Sequence, residues 1–307
     1  MDDPVLLEVK GGVAVLTLNR PARHNAIGDA MDALFFRYLD LVRSDRDVRV
    51  VVWRGAGESF SCGRDMAELV GGEPAPDGTT GTTPPGGTPV VRVGSDAPVD
   101  LSGRGGTGPA PGYRRPRAQH GFGPSDFEVL ERSQWGLRML ADFPVPIVCA
   151  LKGWTLGTAF ERALLCDVRI AGEGTHLALA GIDHGVIPDG GGLAKLHEIG
   201  GSALALDLGL TGRRVEADEA LRLGLVSQVV PDDRVDEMAA EVAAGIAERP
   251  PLVVRMVREH VQGLAAGGVR ATLGRELIGQ TLVLASHDFE EQRQARAEDR
   301  EPRYERR

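Results

Sequence analysis

Apolar residues recur along the chain with two different spacings, which together predict an α/β fold. VLLEV and VAVLTL flank the turn KGG, a pattern that predicts a β-hairpin. AMDALFFRYLDLVR (30–43) has apolar positions at helical spacing, whereas VRVVVWRG (48–55) and IVCALKG (147–153) are continuous apolar runs typical of buried strands. A further helix is predicted from about Gly157. Because strands alternate with helices, we expect helices to cover a sheet.

The C-terminal third is predicted to be mostly helical from Gly190 onwards, with one interruption. DVRIAG and HLALA precede it as predicted strands, and LVSQVV (225–230) is the strand that interrupts it. This helical part is long enough to pack against another subunit. We therefore expect a core over 1–230 and a helical C-terminal region over 231–307.

One segment, 71–125, breaks the pattern. It is dense in Gly, Pro and Thr, as in GGEPAPDGTTGTTPPGG. Such a composition buries too little apolar surface to offset the entropy of ordering. We interpret it as a mobile surface insertion, and a regulatory or partner-binding role is the alternative.

Charge and cysteine content narrow the class of protein. The net charge is −9 and basic residues are spread among acidic ones, which argues against nucleic acid or an anionic membrane as partner. No apolar run is long enough to span a bilayer, and the first residues do not resemble a signal peptide. Cys62, Cys149 and Cys166 lack metal-ligand spacing, and two of them lie in apolar runs. We expect a reduced, cytoplasmic protein without a metal site.

Three loops that follow strands carry the candidate chemistry. They are ESFSCGRDM (58–66), GWTLGTAFERALLCD (153–167) and AGIDHGVIPDGGG (180–192). Each combines small residues, which expose backbone N–H groups, with a carboxylate.

These loops, with NRPARHNAI (19–27) and TGRRVEADEALRLGLVSQVVP (211–231), resemble motifs of the crotonase, or enoyl-CoA hydratase/isomerase, superfamily. The resemblance covers roughly 5–70 and 126–304. It implies a crotonase-like spiral of ββα units with a helical C-terminal trimerisation region, assembled as a homotrimer or hexamer. It also implies an acyl-CoA thioester as substrate, with no cofactor beyond the coenzyme A that the substrate carries.

The resemblance further implies an oxyanion hole made of two backbone N–H groups, which map to Cys62 and Thr158. A helix that begins near Gly157 would direct its positive end at the developing oxyanion, and preorganised donors of this kind contribute about 3–4 kcal/mol each. The Cys62 thiol could instead be a nucleophile, but no histidine is recognisably placed to activate it. We favour the backbone role.

Glu161 matches the first of the two acid/base glutamates of the family's hydratases. It lies within the small and apolar run TAFERALL, where desolvation would raise its pKa. The alternative is an exposed helix glutamate paired with Arg162 or Arg169.

The second glutamate of the family is absent, because Gly181 stands at its position. Asp183, His184 and Asp189 are the candidates to replace it. Asp189 is favoured, since isomerase branches of the superfamily carry an aspartate directly after this position. An aspartate before a helix is also a favoured N-cap, so Asp189 could cap the helix, act as a base, or do both.

Ligand-binding candidates lie on the loops that meet the CoA nucleotide in the family. They are Arg23, His24, Arg64 and Asp65, to which Asp183 and His184 are added from the third loop; solvated surface charges are the alternative for the basic ones.

The predicted activity is proton transfer at C2, C3 or C4 of an acyl-CoA, by enoyl-CoA hydration or double-bond isomerisation. The missing glutamate favours isomerisation. Other enolate reactions, namely thioester hydrolysis, decarboxylation and C–C cleavage, remain alternatives. A catalytically weak CoA-binding protein is the alternative from another class.

Overall fold

The computed structural model describes residues 3–65, 68, 92–93, 134–184 and 187–304. The predicted insertion over 71–125 lies outside the described residues, apart from Arg92–Val93.

Seven strands form the main sheet, in the order β10-β7-β5-β3-β2-β1-β4. β1 and β2 pair antiparallel, as the hairpin prediction requires, and the other neighbours pair parallel. The bounds are β1 Val5–Lys10, β2 Val13–Leu18, β3 Val50–Gly55, β4 Arg92–Val93, β5 Ile147–Leu151, β7 Val168–Gly172 and β10 Gln228–Val230.

A second sheet has the order β6-β8-β9 and joins β6 Trp154–Leu156, β8 His176–Ala178 and β9 Val215–Glu216. The helices are α1 Asp29–Ser44, α2 Thr158–Leu164, α3 Gly192–Thr211, α4 Ala217–Arg222, α5 Val235–Ala247, α6 Pro251–Leu284 and α7 His287–Ala297, and 134–141 is a further helical segment. This is the α/β architecture of a crotonase-like spiral.

Strand β3 lies in the middle of the main sheet and is buried on both faces, which explains its continuous apolar sequence. Val51 and Trp53 face α1, where the Trp53 ring lies 4.6 Å from that of Phe35 between centroids. Val50 and Val52 face the opposite way and pack with α5. The period of two along a strand thus places successive residues in two different cores.

Helix α5 packs on the main sheet through a row of buried small residues, Val235, Ala239, Ala243 and Ala247. These positions recur every four residues, which is the spacing of one helix face. The first helix of the predicted C-terminal region, 231–307, is therefore part of the core.

Helix α3 is broken at Gly200–Gly201, where Gly201 has a φ of +71°. The two halves fold back on one another, because a Cβ at Gly209 would stand 2.7 Å from Leu193 Cδ2. The break keeps the glycine-rich start of α3 beside α2, where the candidate site lies.

The predicted strand over 225–230 is shorter than expected. Leu225 and Val226 donate their N–H groups to the Ala220 carbonyl and close the turn after α4, so hydrogen bonding to β7 begins only with the Ser227 N–H, which donates to the Arg169 carbonyl at 2.8 Å. None of the helices in the described part of the chain is both long and apolar enough to cross a membrane.

Candidate active site

The Glu161 carboxylate lies against the glycine-rich turn that begins α3. Its Oε2 accepts the N–H of Gly190 at 2.8 Å and that of Gly192 at 3.2 Å. The residue is only 3% exposed. Both described bonds end on Oε2, which leaves Oε1 as the oxygen that can exchange a proton with a ligand.

Burial raises the pKa of Glu161 to about 7, from an ordinary value of 4.5. The N–H groups of Gly190 and Gly192 oppose this rise, the negative charge of Asp189 adds to it, and the positive charge of Arg162 opposes it. Desolvation outweighs the two hydrogen bonds. A carboxyl group with a pKa near 7 can both accept and donate a proton at neutral pH.

The two arginines that could have paired with Glu161 are engaged elsewhere. Arg162 donates to Asp32 at 2.5 Å and lies over the Phe36 ring, 5.0 Å from its centroid. Arg169 donates to backbone carbonyls, including that of Cys166 at 2.6 Å. The interpretation of Glu161 as an exposed, ion-paired helix residue is therefore wrong.

Glycine is required where the turn meets Glu161. A Cβ at Gly192 would stand 2.7 Å from Glu161 Cγ, and one at Gly190 would stand 3.0 Å from Glu161 Cβ. A side chain at Gly192 would therefore force Glu161 or the turn to shift.

Asp189 does not cap α3. The helix begins at Gly192 with Gly191 at the N-cap, where φ is +85°, and no side chain caps it. The capping prediction for Asp189 is wrong, because the chain needs two more residues before it becomes helical. Asp189 is exposed, and its backbone carbonyl accepts a hydrogen bond of 2.7 Å from Gln134 Nε2.

The other two replacement candidates lie on the 3₁₀ turn Ile182–His184. Asp183 is exposed and faces the end of α3, since a Cβ at Gly212 would stand 3.4 Å from its Oδ2. The side chain of His184 lies outside the described part. Of the three candidates, Asp189 is thus the one that directly precedes Gly190, whose N–H donates to Glu161.

One of the two predicted oxyanion donors needs correction. Thr158 is the first residue of α2, as expected. The Cys62 N–H, however, already donates to the His24 carbonyl at 2.9 Å, so Cys62 is not a donor to a ligand. Burial also raises the pKa of the Cys62 thiol, which further weakens the nucleophile alternative.

The loop after β3 touches the start of α2 through Gly63. A Cβ at Gly63 would stand 2.5 Å from the Leu156 carbonyl oxygen and 3.6 Å from Gly157 Cα. The Gly63 carbonyl accepts the Ile27 N–H at 2.8 Å. Glycine at this position therefore brings the first two predicted loops into contact.

The predicted ligand-binding residues form two groups of ion pairs. Asp65 is buried and pairs with Arg20 and Arg23, each at 3.2 Å, so it holds loops together rather than facing a ligand. The Arg64 guanidinium pairs with Asp29.

The remaining residues of this region stay available at its surface. His24 is exposed and its Nδ1 lies 3.0 Å from Ser59 Oγ. A quarter of the Arg23 side chain is exposed. Sequence reasoning missed Arg20, although it stands in the NRP motif. Among the described residues, no group of three His, Cys, Asp or Glu could hold a metal ion.

A spiral of strands and helices, with a buried glutamate between glycine-rich loops, defines the class of acyl-CoA-processing crotonase folds. The sequence matches the model of the family described as "Enoyl-CoA hydratase/isomerase" over residues 8–84 and 124–307. The chain therefore belongs to the enoyl-CoA hydratase/isomerase family of enzymes.

Similar proteins extend over nearly the whole chain. The 1,2-epoxyphenylacetyl-CoA isomerase of Escherichia coli (strain K12) is 28% identical over 98% of this chain and 97% of its own length. The 2,3-dehydroadipyl-CoA hydratase of the same organism is 28% identical over 91% of this chain and 89% of its own length. The crystal structure of the enoyl-CoA hydratase from Bacillus anthracis is 26% identical, with a TM-score of 0.76 over 99% of this chain and 100% of that one.

Proposed function

We propose that this family member isomerises the double bond of an enoyl-CoA thioester, with Glu161 carrying the proton. The observation that supports this most strongly is the Glu161 carboxyl group itself, which is buried, bonded through one oxygen only among the described contacts, and has a pKa of about 7. Such a group is half ionised at neutral pH, as proton transfer in both directions requires.

The proposed reaction needs one proton and no other reactant. Ionised Glu161 removes a proton from C2 of a 3-enoyl thioester, and the C–H electron pair moves into the conjugated dienolate, with negative charge on the thioester oxygen. Protonated Glu161 then returns the proton to C4. The double bond moves to C2=C3, and the enzyme regains its initial state.

The thioester oxygen would be held by the N–H groups of Thr158 and Arg64. The Gly63 carbonyl points to Ile27, and in a trans peptide the N–H of the next residue points the opposite way. Gly63 itself lies beside the start of α2, since a Cβ there would stand 3.6 Å from Gly157 Cα. This orientation supports the Arg64 N–H as the donor that replaces Cys62, beside the N–H at the start of α2.

Two features favour isomerisation over hydration. Gly181 has no side chain to activate a water molecule, and the negative charge of Asp189 adds to the rise in the pKa of Glu161 that burial causes. Of the relatives matched over nearly the whole chain, one is named as an isomerase of an epoxide-bearing acyl-CoA and another as a hydratase, so the names alone do not choose between the two reactions. Hydration that relies on Glu161 alone would be slower than hydration by two carboxylates.

Binding and assembly are proposed on the same basis. Arg23 and His24 are the groups that can reach a CoA phosphate while Asp65 stays paired with Arg20.

A homotrimer or hexamer would cover the exposed apolar residues Val257 and Val261 of α6, and light scattering would give its mass. Three free cysteines, two of them buried, fit a cytoplasmic location, and the coenzyme A of the substrate is the only cofactor proposed.

The test is to give purified protein 3-enoyl-CoA and 2-enoyl-CoA separately and to identify the products by mass and ultraviolet absorbance. We expect 3-enoyl-CoA to become conjugated without change of mass. A gain of one water would assign hydration, and free coenzyme A, carbon dioxide or a shortened acyl chain would assign another enolate reaction. CoA binding without turnover of either substrate would identify a binding protein and overturn the proposal.

A further inference from the structure

The peptide group that joins Asp189 to Gly190 is hydrogen-bonded at both ends. Its carbonyl accepts from Gln134 Nε2 at 2.7 Å, and its N–H donates to Glu161 Oε2 at 2.8 Å. The C=O and N–H of a trans peptide point in opposite directions. Gln134 and Glu161 therefore lie at opposite edges of one peptide group, joined through it by two hydrogen bonds in series.

We propose that Gln134 is a positioning residue, which fixes the Asp189–Gly190 peptide with its N–H directed at Glu161 and strengthens that N–H as a donor. The inference deepens the proposed function, since it assigns a residue that acts on the acid/base group without touching the substrate.

The position of Gln134 is fixed by packing that leads back to Glu161. Gln134 begins the described part of the helical segment 134–141, and Gly136 follows two residues later. A Cβ at Gly136 would stand 2.8 Å from Phe36 Cζ, so the segment lies directly on α1. The guanidinium of Arg162, the residue that follows Glu161 in the sequence, in turn lies over the Phe36 ring. Gln134, the first donor of the hydrogen-bond series, and Glu161, its last acceptor, are thus both positioned by contacts with α1.

Hydrogen bonds in series polarise one another; here the bond from Gln134 is exposed and the bond to Glu161 Oε2 is buried. Donation to the Asp189 carbonyl makes the Gly190 N–H a better donor to a carboxylate. The second donor, the Gly192 N–H, is farther away at 3.2 Å, so the Gly190 bond is the stronger of the two. Among the described residues, the charged groups that act on Glu161 are Asp189 and Arg162, of which Arg162 is paired with Asp32. Without Gln134, ionised Glu161 would be less stabilised and would bind its proton more tightly.

The experiment replaces the Gln134 amide by a side chain of similar size that cannot donate, Gln134→Met. Gln262→Met is the matched control, because Gln262 Nε2 also donates to a backbone carbonyl, that of Ala141 at 3.3 Å, at the other end of the same helical segment. The ¹³C signal of the Glu161 carboxyl carbon, assigned with Glu161→Gln, is followed by NMR as a function of pH in the full-length protein.

We expect the titration midpoint of Glu161 to rise by about half a pH unit in Gln134→Met, as a partial loss of one charge-assisted hydrogen bond. It should not change in Gln262→Met. Gln134→Lys, which restores a donor, should bring the midpoint back to the wild-type value or below it. An unchanged midpoint in Gln134→Met, or an equal rise in Gln262→Met, would overturn the inference.

The titration does not depend on the reaction, so the two proposals can fail separately. If the wild type turns over no enoyl-CoA, the proposed function fails, while the NMR midpoints still test the role of Gln134. If the wild type is active, the acidic limb of the pH–rate profile in Gln134→Met should move to higher pH with the NMR midpoint, because Glu161 reacts in its ionised form. A lower rate at all pH values without that movement would identify a structural role only and contradict the inference.

Discussion

The carboxylate of Glu161 accepts the backbone N–H of Gly190 at 2.8 Å, yet it remains easy to protonate. Donors of this kind usually stabilise the ionised form and lower a carboxyl pKa. Here burial outweighs them and raises the pKa to about 7. The N–H groups orient the carboxylate, while its desolvation sets the pKa at which it exchanges a proton.

The raised pKa of Glu161 makes the stability of the fold depend on pH. Because the folded protein binds this proton more tightly than the unfolded chain, the contribution is fully present below pH 4.5 and is lost as the pH rises to about 7. It amounts to at most about 3 kcal/mol. Urea unfolding of the wild type and Glu161→Gln at pH 5 and pH 8 should show the wild type losing stability relative to the variant. An equal difference at both pH values would contradict the raised pKa.

Asp189→Asn should lower the pKa of Glu161, because it removes a negative charge that raises it. We expect the acidic limb of the pH–rate profile to move to lower pH, with a fall in kcat of less than about tenfold. Asp183→Asn is the comparison, since Asp183 faces Gly212 at the end of α3. A loss greater than a hundredfold in Asp189→Asn would instead make Asp189 an acid/base group in its own right.

Gly192→Ala should damage both the fold and the reaction. The new Cβ would stand 2.7 Å from Glu161 Cγ, and overpacking of this kind costs about 1–3 kcal/mol. Gly245→Ala is the matched control, because nothing lies within 4 Å of its Cβ position in α5 and alanine favours a helix. Thermal unfolding and steady-state rates of the two variants check this. Equal behaviour would show that the turn does not hold Glu161.

Substitutions at Asp65 and Arg23 should distinguish a residue that stabilises the loops from one that binds the ligand. Asp65→Asn leaves Arg20 and Arg23 without their shared carboxylate, so we expect a loss of about 3 kcal/mol in unfolding free energy. Arg23→Gln keeps the Arg20 pair and should cost less than about 1 kcal/mol. If Arg23 meets a CoA phosphate, the same variant raises KM with kcat unchanged. An unchanged KM would leave Arg23 as a structural residue only.

The sequence correctly predicted those strands and helices whose apolar residues follow a single clear periodicity. The hairpin of β1 and β2, helix α1 and the buried strands β3 and β5 follow directly from periodicity. The break in α3 at Gly200–Gly201 was not predicted, because the residues on both sides of it have a pattern typical of a helix. The packing of α5 on the sheet depends on which distant strands it meets, and that is not visible in a local pattern.

For the candidate site, the sequence identified the working carboxylate better than the groups around it. The apolar neighbours of Glu161 predicted its burial and raised pKa, which the structure confirms. Cys62 was wrong as an oxyanion donor because its N–H pairs with the His24 carbonyl, a contact between loops 38 residues apart. Gln134 was not singled out, since a lone glutamine carries no motif. Its role depends on the orientation of a single peptide group.

The central claim is that Glu161 carries the proton, and the most direct measurement is the isomerisation rate of Glu161→Gln with 3-enoyl-CoA. Glutamine keeps the shape and can still accept the N–H groups of Gly190 and Gly192, but it cannot take a proton. We predict a fall in kcat of about a hundred- to ten-thousandfold, with the fold and CoA binding retained. A variant that isomerises within tenfold of the wild-type rate would contradict the claim.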